Sequence, residues 1–194
     1  MNVFVLIGHQ KQGSFCHAIA AVAMEELKAA KHKVVYHDLY AENFDPILPH
    51  EEIPRDAPLD PVVAQHCREV TAADGYVIVH PNWWAMPPAI LKGWMDRVLR
   101  QGVGYQFGTG GVEPLLGGKR AVVLTTSNTP RDDELRLFGD PLENLWKACV
   151  FHFCGVEDFS RRNFESIILS TPEQRGQWLD EVRSIVRRRF PPTT

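Results

Sequence analysis

The sequence predicts an α/β fold: one domain over residues 1–194, with five parallel strands lying between two layers of helices. Two observations carry this. Short continuous runs of valine, isoleucine and leucine mark strands buried on both faces, and most are followed by a longer stretch with apolar residues at helical spacing. That alternation requires crossover connections, and these give a parallel sheet covered on both sides. A chain of 194 residues, 44% hydrophobic and 23% charged, is enough for one core, and it shows no internal repeat.

The first strand occupies residues 3–7 and ends at Gly8. Ser14 opens a helix with Ile19, Val22, Ala23 and Leu27 on its apolar face and Glu25, Glu26 and Lys28 in solvent. Residues 34–37 form the second strand and run into Asp38-Leu39-Tyr40, where Asp38 suits a turn or helix cap. Residues 44–61 hold five prolines and are expected to form a long surface loop, a candidate rim for a site. A helix over 62–73 and a strand over 76–79 follow. After Pro87-Pro88 comes the most sharply patterned helix: Ile90, Leu91, Trp94, Met95, Val98 and Leu99 share a face, with Lys92, Asp96 and Arg97 off it. Beyond a glycine-rich connection over 102–118, the fourth strand covers 121–125, a helix 141–153, and the last strand falls within 156–164. Thr171-Pro172-Glu173 starts the final helix, which buries Trp178, Leu179, Val182, Ile185 and Val186. This winding fits a sheet of order 2-1-3-4-5, a flavodoxin-like three-layer sandwich.

Composition narrows the function. With 21 basic and 24 acidic residues the formal charge is −3, so nothing draws the whole molecule to a phosphate backbone, and no nucleic-acid partner is expected. The cluster Arg187-Arg188-Arg189 suits a solvated helix end. No apolar run is long enough for a bilayer, and the start MNVFVLIGH has no signal-peptide pattern, so a cytoplasmic protein without membrane insertion is expected. Cys16, Cys67, Cys149 and Cys154 have no metal-binding spacing and are expected as free thiols, with no metal site.

In a sheet of this order, ligands bind beyond the carboxyl ends of the strands where the order reverses, which selects three loops. Gly8-His9-Gln10-Lys11-Gln12-Gly13-Ser14 leads into a helix start, where backbone N–H groups and the dipole hold an anion. It lacks the lysine of a nucleoside-triphosphate loop, and there is no GxGxxG, so an NTPase and a classical dinucleotide fold are both disfavoured. Pro81-Asn82-Trp83-Trp84 places two tryptophans side by side, and adjacent side chains diverge. Either one packs under the loop while the other caps the domain edge, or they wall a planar ligand. Thr125-Thr126-Ser127-Asn128 offers hydrogen-bonding groups suited to a polar ring edge.

These residues resemble the flavodoxin-like NAD(P)H:quinone oxidoreductases of the DT-diaphorase type and their bacterial relatives. The resemblance covers nearly the whole chain. It rests on His9-x4-Ser14-Phe15, on Asp38-Leu39-Tyr40-Ala41-x-Asn43-Phe44-Asp45-Pro46, and on Pro81-x2-Trp84-x3-Pro88-Ala89-Ile90-Leu91-Lys92-Gly93-Trp94-Met95-Asp96-Arg97-Val98, completed by Thr125-Thr126 and His152-Phe153-Cys154-Gly155. It implies a bound flavin, FAD with FMN as the alternative. His9, Ser14, Phe15 and Cys16 would surround the phosphates, Pro81, Asn82, Trp83 and Trp84 would run along the ring, and Thr125, Thr126, Ser127 and Asn128 would meet its polar edge. It implies ping-pong hydride transfer from NAD(P)H through flavin to a quinone-like acceptor. It also implies a homodimer in which Tyr105 and Phe107 reach the neighbouring site and bind substrate.

The chain departs from that family's pattern between Arg131 and Gly139. The tyrosine and histidine credited there with relaying charge are both missing, Phe138 falls near the histidine's place, and Arg131 is left as the group to offset negative charge. The family's Gly-Gly is Ser127-Asn128, and Ser160 stands where a glutamate approaches adenine. Two other functions remain open: a regulatory subunit that binds a membrane transporter as a peripheral partner, and an electron-carrying flavodoxin, to which a charge of −3 is poorly suited.

Overall fold

The computed structural model describes residues 1–192. Five parallel strands, β1 (Asn2–Ile7), β2 (Lys33–Asp38), β3 (Gly75–Pro81), β6 (Arg120–Thr126) and β7 (Asp158–Phe164), form one sheet in the order β2-β1-β3-β6-β7. Without the intervening hairpin this is the expected order 2-1-3-4-5. Val3, Val5, Ile7, Val77, Val79, Val122 and Leu124 face α1 (Phe15–Ala29) and α6 (Pro172–Arg189). Phe4, Leu6, Ile78 and Val123 face the opposite layer, which holds α2 (Pro61–Ala72) and α3 (Ala89–Val98). Residue alternation along each strand thus divides the core in two, with the sheet as the middle layer.

Local chemistry sets the helix starts. Asp60 Oδ1 accepts from Val62 N–H at 2.8 Å with Pro61 in the first turn, and Thr171 Oγ1 accepts from Gln174 N–H at 3.2 Å ahead of Pro172. Ser14 precedes α1 in extended conformation with no capping bond from its side chain, so the first N–H groups of that helix remain open.

Four expectations change. The segment over 44–61 is more than a surface loop: Phe44 is buried, and a short 3-10 turn over His50–Glu52 carries Glu52 inside. There Glu52 meets Arg97, which lies off the apolar stripe in sequence but is only 3% exposed. Arg97 Nε and Nη2 donate to the two Glu52 oxygens at 3.0 and 2.6 Å, and Nη1 donates to the Asp45 carbonyl at 2.7 Å. The connection over 102–118 contains an antiparallel hairpin, β4 (Tyr105–Gly108) and β5 (Gly111–Pro114). Arg131–Phe138 forms helix α4, and the expected single helix over 141–153 is one α-turn, α5 (Pro141–Asn144), widened into a π-helix over Leu145–His152. The wide turn buries Trp146 and Phe151 in the core.

Gly93 of α3 touches the folded-back loop directly. A Cβ there would collide with the Pro46 backbone carbonyl and side chain. Gly93→Ala should therefore lower stability by about 1–3 kcal/mol, read as a fall in the urea midpoint. An unchanged midpoint would show that Pro46 is not seated on this helix.

Candidate functional site

The loops after β1, β3 and β6 meet at the carboxyl edge of the sheet, beside the gap between β1 and β3 where the strand order reverses. They enclose two adjoining clefts of about 340 and about 170 Å³ that share Asn82, Ser127 and Asn128. Trp84, Ala85, Thr129, Glu134 and Phe138 complete the larger cleft. His9, Pro81, Trp83, Thr126 and Ile167 complete the smaller one.

The tryptophans are placed by a tight turn. Trp83 and Met86 exchange both backbone hydrogen bonds at 2.9 Å, and Trp84 and Ala85 between them take φ values of 54° and 60°. Two non-glycine residues in the left-handed region cost about 1–3 kcal/mol each. The turn turns Trp84 outward to 98% exposure, while Trp83 is 40% exposed along the smaller cleft. An indole this exposed packs in no core, and it stands at the rim of the larger cleft.

The α1 start lies beside the smaller cleft. Gly13 has φ 71° and open space where a Cβ would point, and the first turn of α1 holds no acidic residue. His9 Nδ1 accepts from Lys11 N–H at 3.1 Å, which leaves Nε2 to carry the proton of the neutral ring. Burial, aided by His17, holds His9 below its ordinary pKa. Ser14 Oγ lies 2.7 Å from His17 Nδ1, and His17 Nε2 lies 3.1 Å from Asp38 Oδ2. Asp38 Oδ1 caps the turn by accepting from Tyr40 and Ala41 N–H, the cap expected of it. Burial works against the Asp38 charge, but hydrogen bonds from Gln12, Ala41 and His17 outweigh it and hold the carboxyl below its usual range. Since that carboxylate only accepts, His17 Nε2 donates to it.

Several residues expected at the ligand turn away from it. Cys16 Sγ sits in the core 3.3 Å from Thr126 Oγ1, where burial pushes its pKa up to about 12. Phe15 packs on Phe164 and Trp178, with ring centroids 6.3 and 5.9 Å away. Only the backbone N–H groups of Phe15 and Cys16 can meet an anion. Thr125 is fully buried and donates to Asn163 Oδ1 at 2.9 Å, because successive residues of β6 face opposite sides of the sheet. Arg131 is not free to balance charge alone: its Nη1 donates to Asp140 Oδ2 at 2.6 Å, and Arg161 holds the same carboxylate at 2.7 Å. Tyr105 packs on Phe153 and Phe107, with centroids 5.2 and 5.7 Å away, and Phe107 projects from the hairpin.

Sequence reasoning missed one wall of the cleft. Glu134 of α4 is 1% exposed, and its oxygens accept from Asn82 Nδ2 at 2.8 Å and Asn163 Nδ2 at 3.1 Å. Burial, with Asp140 nearby, raises its pKa, against the pull of Arg161, Arg131 and Asn82. Asp132, Asp133 and Glu134 follow one another in the sequence, and no local pattern marks the third as the buried one. Asn82 Oδ1, buried in the same wall, has no hydrogen-bond partner among the described residues.

His37, Glu42 and His66 bring three potential ligand atoms within 4.8 Å of one another. The Trp94 indole N–H donates to His66 Nδ1 at 3.0 Å, which puts the proton of the neutral ring on Nε2. The lone pair a metal would need there is absent. Burial lowers the His66 pKa to about 4, which keeps the ring neutral.

Fold and crevice together define a flavodoxin-type α/β protein with an open crevice at its topological switch point. The profile of the family described as flavodoxin-like fold matches residues 1–187, and the chain belongs to that family. It is 29% identical over 202 residues to the protein of Rattus norvegicus named NAD(P)H dehydrogenase [quinone] 1, covering 92% of this chain and 74% of the relative. It is 31% identical over 191 residues to an uncharacterized NAD(P)H oxidoreductase of Haemophilus influenzae, covering 93% and 91%. The structure of an NAD(P)H:quinone oxidoreductase from Methanothermobacter marburgensis superposes with a TM-score of 0.84 at 26% identity, covering 97% of this chain and 96% of that one.

Proposed function

We propose that this protein is a flavin-dependent NAD(P)H:quinone oxidoreductase, with FAD as its cofactor. The observation that carries this is the crevice itself, which joins an open helix start, an aromatic rim and a polar wall with an unsatisfied buried acceptor. The names of the relatives point the same way. A flavin bound there supplies the ring that takes hydride from NAD(P)H and gives it to a quinone-like acceptor.

The protein's own part is binding and orientation. Ser14 with the Phe15 and Cys16 N–H groups holds phosphate, His9 donates from Nε2, and Asn82, Ser127 and Asn128 meet the polar ring edge. Trp84 and Phe138 line one side of the larger cleft, where their rings can meet a planar ligand. Four free thiols, three of them buried, suit a reducing cytoplasm. The flavin released on denaturation should have the mass of FAD. A protein isolated from flavin-replete cells and still lacking flavin would remove the reading.

A homodimer with shared sites belongs to the same proposal. Phe107, Val112, Leu115 and Phe153 leave an apolar surface around the hairpin, next to Tyr105. Sedimentation should give twice the chain mass. Tyr105→Ala should raise KM for NAD(P)H and quinone about tenfold, the loss of one aromatic contact of about 1.4 kcal/mol, while flavin stays bound. A fully active monomer would contradict the shared site.

A further inference from the structure

We propose that Glu134 positions Asn82, turning its amide so that the carbonyl oxygen becomes the acceptor for an N–H on the edge of a heterocycle bound in the cleft. The inference rests on the flavin reading above, since the pyrimidine edge of a flavin carries such an N–H.

The hydrogen bonds in this wall run in one direction. The Thr125 hydroxyl donates to Asn163 Oδ1 at 2.9 Å, and Asn163 Nδ2 donates onward to Glu134 Oε2 at 3.1 Å. From the other side, Asn82 Nδ2 donates to Glu134 Oε1 at 2.8 Å. An ionised carboxylate has only acceptors, so both amides must turn their NH2 groups toward it. For Asn82 this leaves Oδ1 buried and without a partner, on the residue that borders both clefts. A buried carbonyl in that state costs about 1–3 kcal/mol, and a ligand N–H removes the cost.

The charges around Glu134 give the wall a second setting. Asp140 faces it from the turn after α4, Arg131 from the first turn of α4, and Arg161 from β7, with both arginines bound to Asp140. Negative charge at the ring edge adds to that of Asp140 and draws a proton from solvent onto Glu134. A protonated carboxyl donates, so the Asn82 amide can turn over and present its NH2 to the ring. The wall then offers an acceptor to an N–H edge and a donor to a negatively charged one.

The test compares the reduction potential of bound flavin against pH in flavin-saturated wild type, Glu134→Gln and Asn82→Ala, with the thermal midpoint as a control for folding. The wild-type line should bend where Glu134 takes up its proton, and both variants should lose the bend. Asn82→Ala should also bind flavin about tenfold more weakly, as expected for one hydrogen bond. A straight wild-type line overturns the proposal. So does a bend that survives in Asn82→Ala, which would show Glu134 acting through space and not through the amide. If Glu134→Gln fails to fold, Asn82→Ala decides alone, because it leaves the Glu134–Asn163 bond in place. Wild type that binds no flavin refutes the functional reading itself, whereas bound flavin with no bend refutes only the part given to Glu134.

Discussion

Ser14→Asp protein should purify folded but almost free of flavin. Aspartate is among the best residues ahead of a helix, so α1 (Phe15–Ala29) keeps its start and the fold survives. The same carboxylate places a negative charge where the phosphate would lie against the N–H groups of Phe15 and Cys16. We expect flavin affinity to fall about 100-fold or more, which corresponds to about 2.7 kcal/mol. Thermal unfolding of the apo form should stay within about 0.5 kcal/mol of wild-type apo protein. Full flavin content in Ser14→Asp would remove the phosphate from this helix start.

Arg97→Ala should give the largest loss of stability, about 3–5 kcal/mol. The substitution leaves Glu52 ionised, buried and without its bidentate partner. Arg97→Met combined with Glu52→Leu should recover most of that loss, because it removes both charges at once. The pH dependence has a definite sign. The hydrogen bonds from Arg97 hold the Glu52 carboxyl below its usual range, against the opposing effect of burial. Its contribution is therefore complete above the ordinary glutamate range and is lost as pH falls through the lowered value. The gap in stability between wild type and Arg97→Ala should narrow on acidification, as read by denaturant unfolding. A gap constant with pH would mean that the ion pair is not what Arg97 contributes.

The parallel sheet was legible because strands buried on both faces leave unbroken apolar runs, as in Val3–Ile7. Its order followed from winding rules rather than from any single residue. The hairpin was not legible, since β4 (Tyr105–Gly108) and β5 (Gly111–Pro114) are short and largely exposed and carry no buried stripe. Helix α4 (Arg131–Phe138) was hidden for a similar reason: its one buried residue is Glu134, and a lone carboxylate gives no periodicity. Arg97 looked like a solvent residue because its partner lies 45 positions away, in a loop whose path no local pattern describes. The crevice was easier to locate, since its three loops directly follow strands. Within it, adjacent threonines in a strand face opposite sides, so Thr125 and Thr126 could not both meet the same ligand edge. Choosing between them needed the helices that pack on each face.

The central claim is that this crevice carries electrons from a nicotinamide to a quinone by way of a bound flavin. Anaerobic titration of the purified yellow protein tests it most directly. NADH or NADPH should bleach the flavin absorbance at one equivalent per site, and a quinone added afterwards should restore it. A flavoprotein that neither nucleotide bleaches, or one that stays bleached in the presence of quinone, would contradict the account and favour an electron carrier.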